Sequence, residues 1–169
     1  MNESDTFELK KIHHGSIAHA LGKARKYRDL NDPRQAESIC LDILAVEPDN
    51  EDARLELILA MSDQYAGIRK SPRTAAIMKH VDKLGDEYSR LYYRGLVTER
   101  EALGFLDRGH AAAFAYDGLR DAMDLYEAAE KLRPEGNEDA VLRWNACVRV
   151  IRREKLKPPP QYKQELPID

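Results

Sequence analysis

Residues 122–136 read AMDLYEAAEKLRPEG and residues 36–46 read AESICLDILAV. In the first stretch Ala122, Leu125, Tyr126, Ala129 and Leu132 fall at steps of three, one, three and three residues. Ala36, Ile39, Cys40, Ile43 and Val46 take the same steps in the second, and Thr74, Ile77, Met78, Val81 and Leu84 take them once more. Such spacing puts five side chains on one face of an α-helix. Three similar faces predict three similar partner helices, hence stacked helical hairpins rather than a bundle around one core.

Turn chemistry divides the chain at matching places. Ser16 is placed to cap a first amphipathic run, Ile17, Ala20, Leu21, Ala24 and Tyr27. Asn31–Asp32–Pro33 ends that run and opens the next, because proline is welcome in a first helical turn. Glu47–Pro48–Asp49–Asn50 is a stop followed by a fresh start, and the third helix fades at Ala66–Gly67. Ser71–Pro72 opens a fourth helix that Gly85 closes, and a longer fifth runs from about Glu87 to Leu106. Arg108–Gly109 ends it, and the apolar Ala111–Tyr116 starts a sixth helix early, which makes the third hairpin taller. After the turn Arg133–Asn137, a seventh helix covers about Glu138 to Glu154, and Pro158–Pro160 cannot continue it.

Charged residues are 34 % of the 169 and aromatics 7 %, the profile of thin helices with one apolar stripe and a wide wet face. The net charge of −3 does not by itself argue for or against a nucleic-acid partner. Its distribution is uneven: residues 31–66 are acidic, while residues 143–157 carry Arg143, Arg149, Arg152, Arg153, Lys155 and Lys157 against Glu154. That pattern is either solvated helix surface or a polarity that orients a partner or a second copy. Cys40 and Cys147 lie inside apolar stripes and read as buried free thiols of a reducing compartment. No leader-like or membrane-spanning run is present, so the expected setting is the cytoplasm, with no membrane partner.

Tyr27, Ala36, Ile43 and Pro48, then Ala122, Tyr126, Ala129 and Pro134, resemble the tetratricopeptide repeat, a helix–turn–helix unit of about 34 residues. Leu132–Arg133–Pro134 is similar to that family's repeat junction. Ala24, Ile58, Gly95 and Asn145 take the slot where paired helices come closest, at intervals of 34, 37 and 50 residues. The resemblance implies an all-α fold, a right-handed superhelical array of antiparallel hairpins with about seven helices. Residues 1–15 would be an N-terminal extension, 16–154 three hairpins plus a closing helix, and 155–169 a Pro-rich tail. It also implies a concave face lined by the first helix of each hairpin. Placed by the small-residue slot, the partner-binding groove is Leu21, Arg25, Leu55, Leu59, Tyr92, Leu96, Leu142 and Arg149. The bland alternative is that these side chains pack on neighbouring helices.

Catalytic and metal motifs are missing. His13, His14, His19, His80 and His110 include no pair four residues apart, so no metal site and no cofactor are expected. Acid pairs such as Glu99/Glu101 arise by chance in so charged a chain. The expected role is a non-enzymatic adaptor or assembly factor binding a protein or peptide in the groove. Its rivals are self-association through the last helix and tail, giving a homo-oligomer, and weak nucleic-acid binding through the basic seventh helix. Only Trp144 offers base stacking there. Three packing expectations follow. Trp144 closes the array and is largely buried, Phe114 meets Phe105 or Leu103, and Gly118→Ala stabilises a helix by up to ~1 kcal/mol.

Overall fold

A computed structural model describes residues 7–66, 74–107 and 112–160. Among these residues there are seven α-helices, two single turns of 3₁₀-helix and no strand. The chain divides into two compact units, Met1–Gly85 and Asp86–Asp169.

In the first unit a 3₁₀ turn, His14–Ser16, leads into α1 (Ile17–Asp29). Ser16 makes no side-chain capping bond, so the expected cap is not formed. Asn31 ends α1 in the left-handed conformation (φ 59°), which asparagine tolerates better than most residues. The Asp32 amide then donates back to the Tyr27 carbonyl at 2.8 Å, satisfying one of the last helical acceptors. Asp32 caps α2 (Pro33–Val46) by accepting from the Gln35 amide, and Pro33 stands in the first turn. Asn50 caps α3 (Glu51–Asp63) in the same way through the Ala53 amide at 2.8 Å. These short connections make α1–α2 and α2–α3 successive hairpins, with α1 also meeting α3.

A 3₁₀ turn, Gln64–Ala66, follows α3, and α4 (Thr74–Val81) packs on α3. The expected breaks at Gly67 and Ser71–Pro72 lie outside the described residues. Ile77, Val81 and Leu84 of the stripe that begins at Thr74 are buried, but α4 ends at Val81 and Leu84 sits beyond it. The core joins Ile17, Leu21 and Ala24 of α1 with Ala36, Cys40 and Ile43 of α2. From α3 come Ala53, Leu57, Ile58, Ala60 and Met61.

The second unit is one tall hairpin, α5 (Glu87–Asp107) and α6 (Ala112–Glu130), with α7 (Asp139–Arg153) packed on α6 and meeting α5. The expected stop at Arg108–Gly109 lies outside the described residues. Gly136 turns the chain at φ 78°, and Asn137 accepts from both the Tyr88 hydroxyl and the Asp139 amide. Lys155 (φ 50°) ends α7, and the Leu156 amide reaches the Ile151 carbonyl at 3.0 Å. That turn folds Leu156 back onto the core, the hydrophobic contact that commonly accompanies such a helix end.

Two close approaches hold α5 against α6. A Cβ at Gly95 would stand 2.8 Å from Tyr126 Cε1, and one at Gly118 would stand 2.8 Å from Ala102 Cβ. Phe114 does meet Phe105, with ring centroids 6.4 Å apart.

Gly118→Ala therefore changes sign from the sequence expectation. The gain in helix propensity, up to ~1 kcal/mol, is outweighed by overpacking, which typically costs ~1–3 kcal/mol. A net loss of about 1 kcal/mol is expected in thermal melting. Adding Ala102→Gly, which removes the clashing methyl, should relieve the clash but give back the helix propensity gained at residue 118. A rise in melting temperature for Gly118→Ala alone would show that α5 and α6 do not approach so closely there.

Candidate partner-binding surface

Each unit crosses its first and third helices with a salt bridge to a buried carboxylate. In the first unit Arg28 of α1 donates to Glu56 at 3.0 Å and to Asp63 at 2.7 Å, both on α3. Arg25 stands 4.0 Å from the same Glu56. In the second unit Arg143 of α7 donates twice to Glu99 of α5, at 3.1 and 2.7 Å, and Tyr126 of α6 donates a third bond at 2.6 Å.

The positions correspond. Four residues on from Ala24 and from Gly95 come Arg28 and Glu99. Two residues back from Ile58 and from Asn145 come Glu56 and Arg143. The same two positions carry the same cross-link, with the charges exchanged. Cys40 and Tyr126 hold the third place of matching stripes on the middle helix, and each lies within the field of its unit's carboxylate. Ala53 and Ala140, and Ala60 and Cys147, match and are buried in both third helices.

These networks can lock helices but offer little chemistry. Glu99 accepts three hydrogen bonds, so its acceptor capacity is largely used. Burial, then the neighbouring Glu99 charge, pushes the Tyr126 hydroxyl far above its ordinary pKa. Burial opposes the Arg143 charge, but Glu99 and Tyr126 outweigh it and hold its pKa above the usual value. Cys40 and Cys147 are buried free thiols pushed up to about 12, chiefly by burial and next by Glu56 and Glu99 respectively. A thiol so shifted is protonated at neutral pH and is a poor nucleophile.

Among the described residues no three His, Cys, Asp or Glu side chains are placed to hold a metal ion. His14 instead pairs with Glu47 at 3.2 Å. His80 has its pKa lowered by burial and by Arg54 and Lys83, and its Nδ1 has no hydrogen-bond partner. His110 lies outside the described residues. Among the described residues no helix is long and apolar enough to cross a membrane.

The expected groove residues divide between the units and differ in access. In the first unit Leu21 belongs to the core, Leu55 and Leu59 are half-buried, and Arg25 is exposed beside Glu56. In the second, Leu96 is core at 4 % exposure and Tyr92 is half-buried. Tyr92 packs against Tyr88, Tyr93 and Tyr126, and burial, then Asp139, pushes its hydroxyl up to about 12. Leu142 is 61 % exposed and Arg149 is exposed. Leu21 and Leu96 therefore cannot line a surface, because both are buried; Leu21 packs with Ile17, Ile43 and Ala53.

Trp144 overturns its expectation too. It is 37 % exposed rather than largely buried. The sequence reading also passed over Glu99 and Arg143 as a pair. Their signal was positional, a charge four residues past Gly95 matching one four past Ala24.

No protein-family model matches the chain, and neither does any curated protein or any solved structure.

Proposed function

We propose that the chain is a non-enzymatic protein-interaction module of tetratricopeptide-like hairpins, which holds an extended or helical peptide against the first and third helices of a unit. The observation that carries this reading is the repeated cross-link. Arg28–Glu56 and Glu99–Arg143 fix those two helices in both units at matching positions. A fixed pair of helices presents side chains without further ordering cost, which favours binding. Leu55 and Leu59 in one unit, and Leu142 with Arg149 in the other, are apolar anchors and a charge at such a surface. Nucleic-acid binding is less well supported, since Trp144 is the only aromatic on the basic helix.

The test is affinity capture with wild-type bait beside a Leu142→Asp/Arg149→Glu bait. Both side chains are exposed, so the melting temperature should change little, within about 0.5 kcal/mol per site. The specific partner should be lost from the variant. An identical set of captured proteins on both baits would remove α7 from the binding surface.

A further inference from the structure

The matching register of α3 and α7 extends to the edge on which a following helix stacks. In the first unit Arg54, Leu57, Met61 and Tyr65 form that edge. All four are buried, α4 packs on α3, and the Tyr65 hydroxyl bonds to Thr74. Counting from Ile58 and Asn145, the same places on α7 are Val141, Trp144, Val148 and Arg152. Leu57 is 0 % exposed, whereas its counterpart Trp144 is 37 % exposed, and Arg152 is exposed. Among the described residues α7 carries this stacking edge with no helix following on it.

We propose that a second copy of the chain packs on this edge, α7 against α7, antiparallel about a two-fold axis near Asn145. Charge complementarity favours a copy over a foreign helix. At about 100° per residue, Glu138 and Arg152 fall within roughly 40° of each other on the same side of α7, about 21 Å apart along it. Glu138 is exposed at the N-terminal end and Arg152 at the C-terminal end. An antiparallel pair sets each Glu138 opposite the other copy's Arg152, twice over, because a two-fold interface repeats each contact. Val141 then faces Val148, and the two Trp144 rings cover each other near the axis. Glu138 already touches Arg133 at 3.3 Å, an exposed pair that leaves it room to accept a second cation.

Sedimentation velocity of the full chain from about 1 to 200 µM tests this, with tryptophan emission read in parallel. The wild type should shift from monomer toward dimer, and its emission should move to shorter wavelength as Trp144 is covered. Arg152→Glu alone and Glu138→Arg alone should each weaken association at least about tenfold, since like charges then face each other twice. Mixed in equal amounts, these two variants should associate again, because in the heterodimer every facing pair is opposite in sign. Circular dichroism of each variant checks that the helices are intact. A wild-type chain that stays monomeric overturns the proposal, whether its residues 161–169 or a different protein take the edge. So does association that the single variants leave unchanged, or a mixture that fails to restore it.

Discussion

Glu99→Leu should destabilise the protein by about 3 kcal/mol or more. The reason is what it leaves behind. Arg143 loses both of its carboxylate acceptors and Tyr126 loses the acceptor of its buried hydroxyl. Removing one partner of a buried ion pair typically costs ~3–5 kcal/mol, because the surviving charge stays desolvated and unpaired. Arg143 retains 33 % side-chain exposure and can reach some water, which places the effect at the lower end of that range. Glu99→Gln keeps the shape and one acceptor oxygen, so it should cost less than Glu99→Leu. Tyr126→Phe should cost least, about 1–2 kcal/mol, since Glu99 keeps both bonds from Arg143. Urea unfolding at neutral pH ranks the three. A Glu99→Leu protein as stable as the Tyr126→Phe protein would show that the ion pair is not buried as described.

Leu57→Ala should cost about 2–5 kcal/mol, the range for a leucine truncated where the surroundings cannot collapse onto the space. Leu57 on α3 is fully buried. Its counterpart Trp144 has over a third of its surface in water, so Trp144→Ala should cost clearly less when measured on dilute, monomeric protein. The contrast matters more than either value. Trp144 is the larger side chain, and area alone would rank it first if both edges were covered alike. Chemical denaturation of the two variants at low micromolar concentration gives the comparison. A greater loss for Trp144→Ala would put that ring inside the unit and remove the open edge of α7.

The helices were legible because their signals are local. Apolar steps of three and four, the Asp32–Pro33 start and the break and restart at Glu47–Asn50 require no knowledge of the partner helix, and α2 and α3 begin where these place them. The expectations that failed concern what lies across a contact. Gly118 reads as a weak point by helix propensity, yet Ala102 on the facing helix leaves no room for its methyl. Buried Leu21 and exposed Leu142 hold the same place, three residues before Ala24 and Asn145, but spacing along one helix does not say how tightly the next one covers it. Trp144 looked like a closing residue because an apolar ring prefers burial. Only the comparison of α7 with α3 shows which edge it occupies. Glu99 was hidden for the opposite reason. In a chain that is 34 % charged, one glutamate inside the hairpin looks like any other on its surface.

Two double-mutant cycles test the account at its centre, the claim that one helix-pairing device is built twice with its charges exchanged. The cycles are Arg28→Met with Glu56→Leu, and Glu99→Leu with Arg143→Met, each measured by urea unfolding. Both pairs should show a favourable coupling of about 1–3 kcal/mol, because the partners touch and share one network. In each unit the double variant should be less damaged than the sum of its singles, since neither member of the pair is left charged without the other. Coupling near zero in either unit, with the singles simply additive, would contradict a shared device.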